Sequence, residues 1–211
     1  MPELKVQSPL TEAHFNEFPV KSPENFNFAN DVVDRWAAYD RNKMAMIWVN
    51  QQGAEKRFTF FDFSRLSNQA ANLLLKQGIG VGDRVFLMLP RLPEWWIFSL
   101  ALIRIGAIQC PSPTLLTPPD IKQRINAGKF KMVITDNENA PKFDEVFDEC
   151  PSLNIRLIVN DRRPGWISYL DCSALSSREL KLSRKYKSKS SAPFLTLFTS
   201  GTSKMPKMVE H

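Results

Sequence analysis

Two kinds of apolar pattern alternate along the 211 residues of the chain. Short, mostly apolar runs at 84–89, 107–110, 131–135, 155–159 and 194–198 read as strands. Between them, apolar residues recur at helical spacing. Val32, Val33, Trp36 and Ala37 predict a helix with Asn30 as its N-cap. Residues 44–49 and 56–60 are β-rich and flank Gln51-Gln52-Gly53, which predicts a hairpin. Thr59-Phe60-Phe61-Asp62 has the form of a capping box with Asp in the Glu place, and Phe63, Leu66, Ala70, Leu73 and Leu74 then form one helical face that stops at Gly78. Pro93 opens the next helix and Gly106 closes it. Thr117-Pro118-Pro119-Asp120 starts another, and 140–149 a further one. Strands alternating with helices predict βαβ units. The expected fold class is therefore α/β, a mainly parallel sheet with flanking helices plus an N-terminal β-hairpin. In such sheets ligands bind beyond the carboxyl ends of the strands.

Composition changes this picture only in places. The chain is 43% hydrophobic and 24% charged, enough apolar material to exclude a wholly disordered chain. Its formal net charge is +6 and its pI about 9.3. Six cations stand against the single Glu179 in 178–189, so this one segment carries a net +5 and the pI says little about partners. Only Tyr186 interleaves it, too few aromatics for a single-strand stacking platform, and no nucleic-acid partner is expected. Residues 1–25 are polar and bear Pro, and are expected to be an arm; 176–192 is expected to be a basic linker. The arm has neither the apolar run of a secretory signal nor the Arg-rich, acid-poor character of a transit peptide, so no presequence is visible. The apolar stretch 95–108 is interrupted by Arg104 and falls short of the roughly 20 residues of a membrane span. Cys110, Cys150 and Cys172 form no CxxC pair and the histidines are His14 and His211, which argues against a disulfide framework or a metal site. Cys110 is expected to be a buried small hydrophobe. Trp95 and Trp96 point about 100° apart on a helix, so core packing is expected rather than a ligand platform.

The chemistry-bearing run is Thr199-Ser200-Gly201-Thr202-Ser203-Lys204-Met205-Pro206-Lys207, which follows an apolar strand. Successive backbone N–H groups of such a turn can converge on an anion, and the four hydroxyls add donors. Gly201 lets the backbone approach a phosphate with no Cβ in the way. Lys207 supplies a point charge, and Pro206 stiffens the chain just before it. Together these are the parts of a triphosphate cradle. It is not a Walker A loop, because Pro206 rather than Gly precedes Lys207.

At these residues the chain resembles the adenylate-forming superfamily, and more narrowly the medium-chain acyl-CoA synthetases. Further agreement lies in Asn25-Phe26-Asn27-Phe28-Ala29 running into Asp31-Val32-Val33-Asp34, in Gly82-Asp83-Arg84-Val85, and in Pro90-Arg91-Leu92-Pro93-Glu94-Trp95-Trp96. Cys150-Pro151-Ser152-Leu153, Gly165-Trp166 and Met208-Val209-Glu210-His211 add to it. The likeness implies that 26–211 belong to an incomplete AMP-binding domain. It also implies a two-step ligation. A carboxylate attacks the α-phosphorus of ATP to give acyl-AMP and diphosphate, and the thiol of CoA then displaces AMP. ATP with Mg²⁺ and CoA would be the co-substrates. Thr199 to Lys207 would hold the β- and γ-phosphates, and no catalytic residue is assigned in the chain. Animal members of the family are mitochondrial, which implies the matrix; microbial ones are cytosolic.

Two departures qualify the likeness. Lys204 stands where the family has glycine; a positive φ there would cost about 1–2 kcal/mol. The chain also ends at His211, a residue expected to fray, whereas family members continue through a long second half. The expectation is a chain that is inactive as a ligase alone. The alternative is a non-catalytic binding or regulatory remnant of the same fold.

Overall fold

A computed structural model describes residues 23–175, 188–199 and 206–211. The hairpin forms as the pattern predicts, with β1 (Met44–Val49) antiparallel to β2 (Glu55–Thr59), turning through Gly53 at φ 80°. Five strands make a parallel sheet: β3 (Arg84–Met88), β4 (Ile108–Pro111), β5 (Met132–Thr135), β6 (Ile155–Ile158) and β7 (Ile167–Ser168), in the spatial order β4-β3-β5-β6-β7. The last of these, with the helix that follows it, gave no recognisable pattern in the sequence.

The unbroken apolar character of β3 and β5 follows from burial on both faces. Val85 and Leu87 point to one side, into a core shared with α2 (Phe60–Lys76) and α3 (Pro93–Ile105). Phe86 and Met88 point to the other, into a core with α4 (Pro118–Gly128) and α5 (Ala140–Val146). A short 3₁₀ turn, Phe147–Glu149, completes the stretch predicted as helix at 140–149. The remaining helices are α1 (Asp34–Tyr39) and α6 (Tyr169–Leu175).

Both predicted capping boxes are present. Thr59 and Thr117 each accept the N–H of the aspartate three residues on, and that carboxylate accepts the threonine N–H in return. Gly106 ends α3 in the left-handed region at φ 70°.

Asn30 is not an N-cap. The chain enters its first helix through a π turn, Ala29–Val33, and Asn27 does the capping. Its side-chain Oδ1 accepts the Asn30 N–H at 3.3 Å, and its own N–H is bound by the Asp31 carboxylate at 2.7 Å. Asn30 instead faces Arg104. That guanidinium is 1% exposed and donates to Asn30 Oδ1, to both carboxylate oxygens of Asp34 and to Ser67 Oγ. Arg104 is therefore internal, which removes it from the cations able to meet a phosphate at the surface. Cys110 is fully buried, as expected, and burial pushes its thiol up to about 11.

Of the expected basic linker, 188–192 lie among the described residues. There Ser188 and Ser190 exchange backbone hydrogen bonds with Phe26 and Glu24, and Asn25 bridges Lys189. The arm residues 1–22, with His14, and the remainder of the linker, 176–187, lie outside the described residues.

Candidate functional site

The topology concentrates loops at one edge of the sheet. From β3 the chain passes through α3 to β4 on one side, then returns through α4 to β5 on the other. The direction of winding thus reverses between β3 and β5, and the reversal leaves a crevice at their carboxyl ends. There Thr135 Oγ1 donates to the Met88 carbonyl at 2.7 Å. Buried Asp136 accepts the Asn139 amide and side chain, and Lys142 Nζ joins Asn139 Oδ1 to the Thr114 carbonyl at 3.1 and 2.6 Å. A cavity of about 540 Å³ opens at this edge, among Trp48, Arg91, Trp95, Trp96, Pro113 and Leu115. Trp95 packs against the core as expected, but Trp96 is 52% exposed, so core packing describes only one of the two. Their rings meet edge to face at 4.7 Å and offer no joint platform.

The sequence-predicted phosphate loop springs from a second, smaller structure. β8 (Thr196–Thr199) pairs antiparallel with β9 (Lys207–Glu210), in a register that sets Thr196 opposite Glu210 and Thr199 opposite Lys207. Thr199 Oγ1 also donates to the Lys207 carbonyl at 3.4 Å. Both ends of the predicted cradle are thus brought together, with Thr199 and Lys207 exposed and Pro206 half-buried beside them. Ser200, Gly201, Thr202, Ser203, Lys204 and Met205 lie outside the described residues. Leu195, just before β8, makes a parallel bridge to Gln109 of β4, whose N–H donates to the Phe194 carbonyl at 3.1 Å. β8 therefore runs in the same sense as the parallel sheet. The turn after Thr199 leaves on the same side as the loops after β3, β4 and β5.

Among the described residues, this bridge and two side-chain contacts hold the hairpin to the rest, and a ladder through His211 closes it on itself. Phe198 lies 6.4 Å from the Phe130 ring, with the Arg124 guanidinium 5.6 Å above it. Arg84 Nε and Nη2 both bond Glu210 Oε1, at 3.0 and 2.5 Å. The His211 N–H donates to the Leu195 carbonyl at 2.8 Å, and its own carbonyl accepts from Phe194 and Leu195. His211 is paired rather than frayed, because the backbone ladder continues through it. The pattern of 207–210 gave no strand by itself; its partner strand supplies the reason.

Residues 33–211 match the family of AMP-binding enzymes. The chain belongs to that family. It is 43% identical over 196 residues to acyl-coenzyme A synthetase ACSM5, mitochondrial, of Homo sapiens, covering 90% of this chain and 33% of the relative. It is 37% identical over 214 residues to acyl-coenzyme A synthetase ACSM4, mitochondrial, of Rattus norvegicus, covering 97% and 36%. The chain thus spans about a third of the length of these relatives.

A crystal structure of Brucella canis acyl-CoA synthetase superposes with TM-score 0.77 at 29% identity, over 88% of this chain and 33% of that one. The anthranilate CoA ligase AuaEII in complex with anthranoyl-AMP shares the fold, with TM-score 0.80 at 24% identity over 90% and 35%. Within the AMP-binding fold seen here, the parallel sheet, the two helical layers and the β8–β9 hairpin all fall inside the matched residues. Among the described residues no group of three or more His, Cys, Asp or Glu could hold a metal, and no helix is long and apolar enough to cross a membrane.

Proposed function

We propose that the chain supplies the phosphate-binding part of an ATP-dependent acyl-CoA synthetase of the medium-chain type. The reaction would join a carboxylate to CoA through acyl-AMP, releasing AMP and diphosphate. The observation that carries this reading is the β8–β9 register, which sets Thr199 against Lys207 across the Ser/Thr/Gly run. A hydroxyl and an ammonium at the two ends of the turn fit a polyphosphate anion. Binding of this kind works by positioning and charge neutralisation. The substrate is MgATP, its metal arriving with the phosphates. In this reading Thr199, Ser200, Gly201, Thr202, Ser203, Lys204, Met205, Pro206 and Lys207 hold the β- and γ-phosphates. The carboxylate and CoA meet groups that the longer relatives carry in the other two thirds of their length. The mitochondrial relatives support a place in the mitochondrial matrix.

Titration of the 211-residue chain with ATP, with and without Mg²⁺, tests the proposal. Mg²⁺-dependent binding that Lys207→Ala weakens is the expected result. Absence of binding, or binding indifferent to Lys207, overturns it. The chain alone is expected to form no acyl-CoA from octanoate, MgATP and CoA. Thioester formation detected by mass spectrometry would overturn the division of labour between this third and the remainder.

A further inference from the structure

We propose that Arg84 and Glu210 are a positioning pair that fixes the returning strand of the phosphate loop, and so holds Lys207 opposite Thr199. The inference rests on the nucleotide reading for its purpose, but its geometry is independent of that reading.

The two strands of the hairpin are held very differently. β8 is fastened to the sheet through backbone, by the Gln109–Leu195 bridge, and through packing, by Phe198 against Phe130. Beyond its ladder to β8, β9 has as its one ion pair among the described residues the contact from Glu210 to Arg84. Its other side chains give it little hold: Lys207 and Val209 are exposed and Met208 is half-buried.

Arg84 is built for the purpose. It sits at the first position of β3, beside the place where α4 ends, and its Nη1 donates to the Gly128 carbonyl at 3.2 Å. That contact aims the guanidinium and leaves Nε and Nη2 for a forked grip on Glu210 Oε1. The pair is about a third exposed on each side, so it acts on the placing of one strand and not on the core. Glu210 opposes Thr196, three ladder positions from the Thr199–Lys207 pair. A strand that slips by one residue turns every side chain to the other face. A slip at β9 would replace Lys207 at the mouth of the turn by Pro206 or Met208.

The test is a double-mutant cycle on the full chain with Arg84→Gln, Glu210→Gln and both together, read by hydrogen exchange of the 207–210 amides and by MgATP titration. Each single variant is expected to speed exchange of those amides and to leave β3 and β5 unchanged. MgATP affinity is expected to fall about fivefold, the upper end of what a partly exposed ion pair contributes. The double variant is expected to do no worse than either single, since one interaction is lost in all three. Arg84→Lys is expected to restore part of both readouts. Unchanged exchange at 207–210, or additive effects in the double variant, overturns the pairing. Faster exchange with unchanged MgATP affinity overturns its role in positioning Lys207. If the parent chain binds no MgATP the nucleotide reading fails, and the exchange cycle still decides whether the pair holds β9.

Discussion

The five-stranded sheet and the β8–β9 hairpin are stabilised by different means. The sheet is buried on both faces, with Phe86, Leu87, Val133 and Ile134 fully enclosed between two helical layers. The hairpin has four residues in each strand, largely open to solvent, and among the described residues it is held by one parallel bridge, the packing of Phe198 against Phe130 and Arg124, and one ion pair. An isolated pair of strands is marginal in water. The hairpin therefore borrows its order from the sheet, and the residues proposed to meet phosphate sit on the less stable partner. Loops and hairpins that bind ligands commonly come from the low-stability end of a molecule, because they must admit and release what they hold.

Substitutions can break this comparison or sharpen it. The largest effect is expected from Asp34→Ala, which strands the buried Arg104 guanidinium; the loss is about 3–5 kcal/mol, read by urea denaturation. Sheet and hairpin should then unfold together, and a surviving hairpin signal would show that it does not depend on the sheet.

Gly128→Ala probes the junction. A Cβ there would lie 2.2 Å from the Phe130 ring, and that ring is wedged against Phe86 in the second core. The cost is expected to be about 2 kcal/mol, measured as a shift in unfolding midpoint. Because Phe130 also abuts Phe198, hydrogen exchange should rise in both regions.

Phe198→Ala is the sharper instrument. It should cost about 1 kcal/mol or less globally yet raise exchange at 196–199 and 207–210. Equal loss of protection in β3 and β5 would end the claim that the two regions differ in stability.

The smallest expected effect is electrostatic. The Thr117 hydroxyl, and then its N–H, hold the Asp120 carboxyl below its ordinary 3.8. A depressed folded value contributes stability that is present above the unfolded pKa and lost as pH falls through the folded one. Thr117→Val should move the Asp120 titration upward by NMR; the shift itself changes stability little because the carboxylate is largely solvated, and the lost N-cap costs about 1 kcal/mol at every pH. An unmoved titration would mean that the hydroxyl does not set it.

Much of this was legible before the structure. The capping boxes at Thr59 and Thr117 could be read because each is complete within four residues and rests on hydrogen bonds that local sequence dictates. The Pro93 start and the Gly106 stop of α3 could be read for the same reason, as could β3 to β6, whose mostly apolar runs record burial in the sheet. The cradle residues were legible as chemistry, since hydroxyls, glycine and lysine at that spacing suit an anion wherever they lie.

Other features were not legible. β7 is two residues long and β9 alternates too little to register, so neither carries a period. Asn30 looked like a cap because sequence shows residue type and spacing, but it cannot show that Arg104, 74 positions away, occupies that side chain. Arg104 and Arg84 look alike in sequence, each a cation beside an apolar run. Only the tertiary structure makes one an internal anchor, enclosed between α1, α2 and α3, and the other an external latch. The sequence by itself determined most of the elements and their order, and it marked the Thr199–Lys207 run proposed to meet phosphate, because those follow from local propensity and chemistry. Which strands neighbour one another, where the winding reverses, and which charge lies opposite Glu210 were decided by packing across distances in the chain that no local pattern encodes.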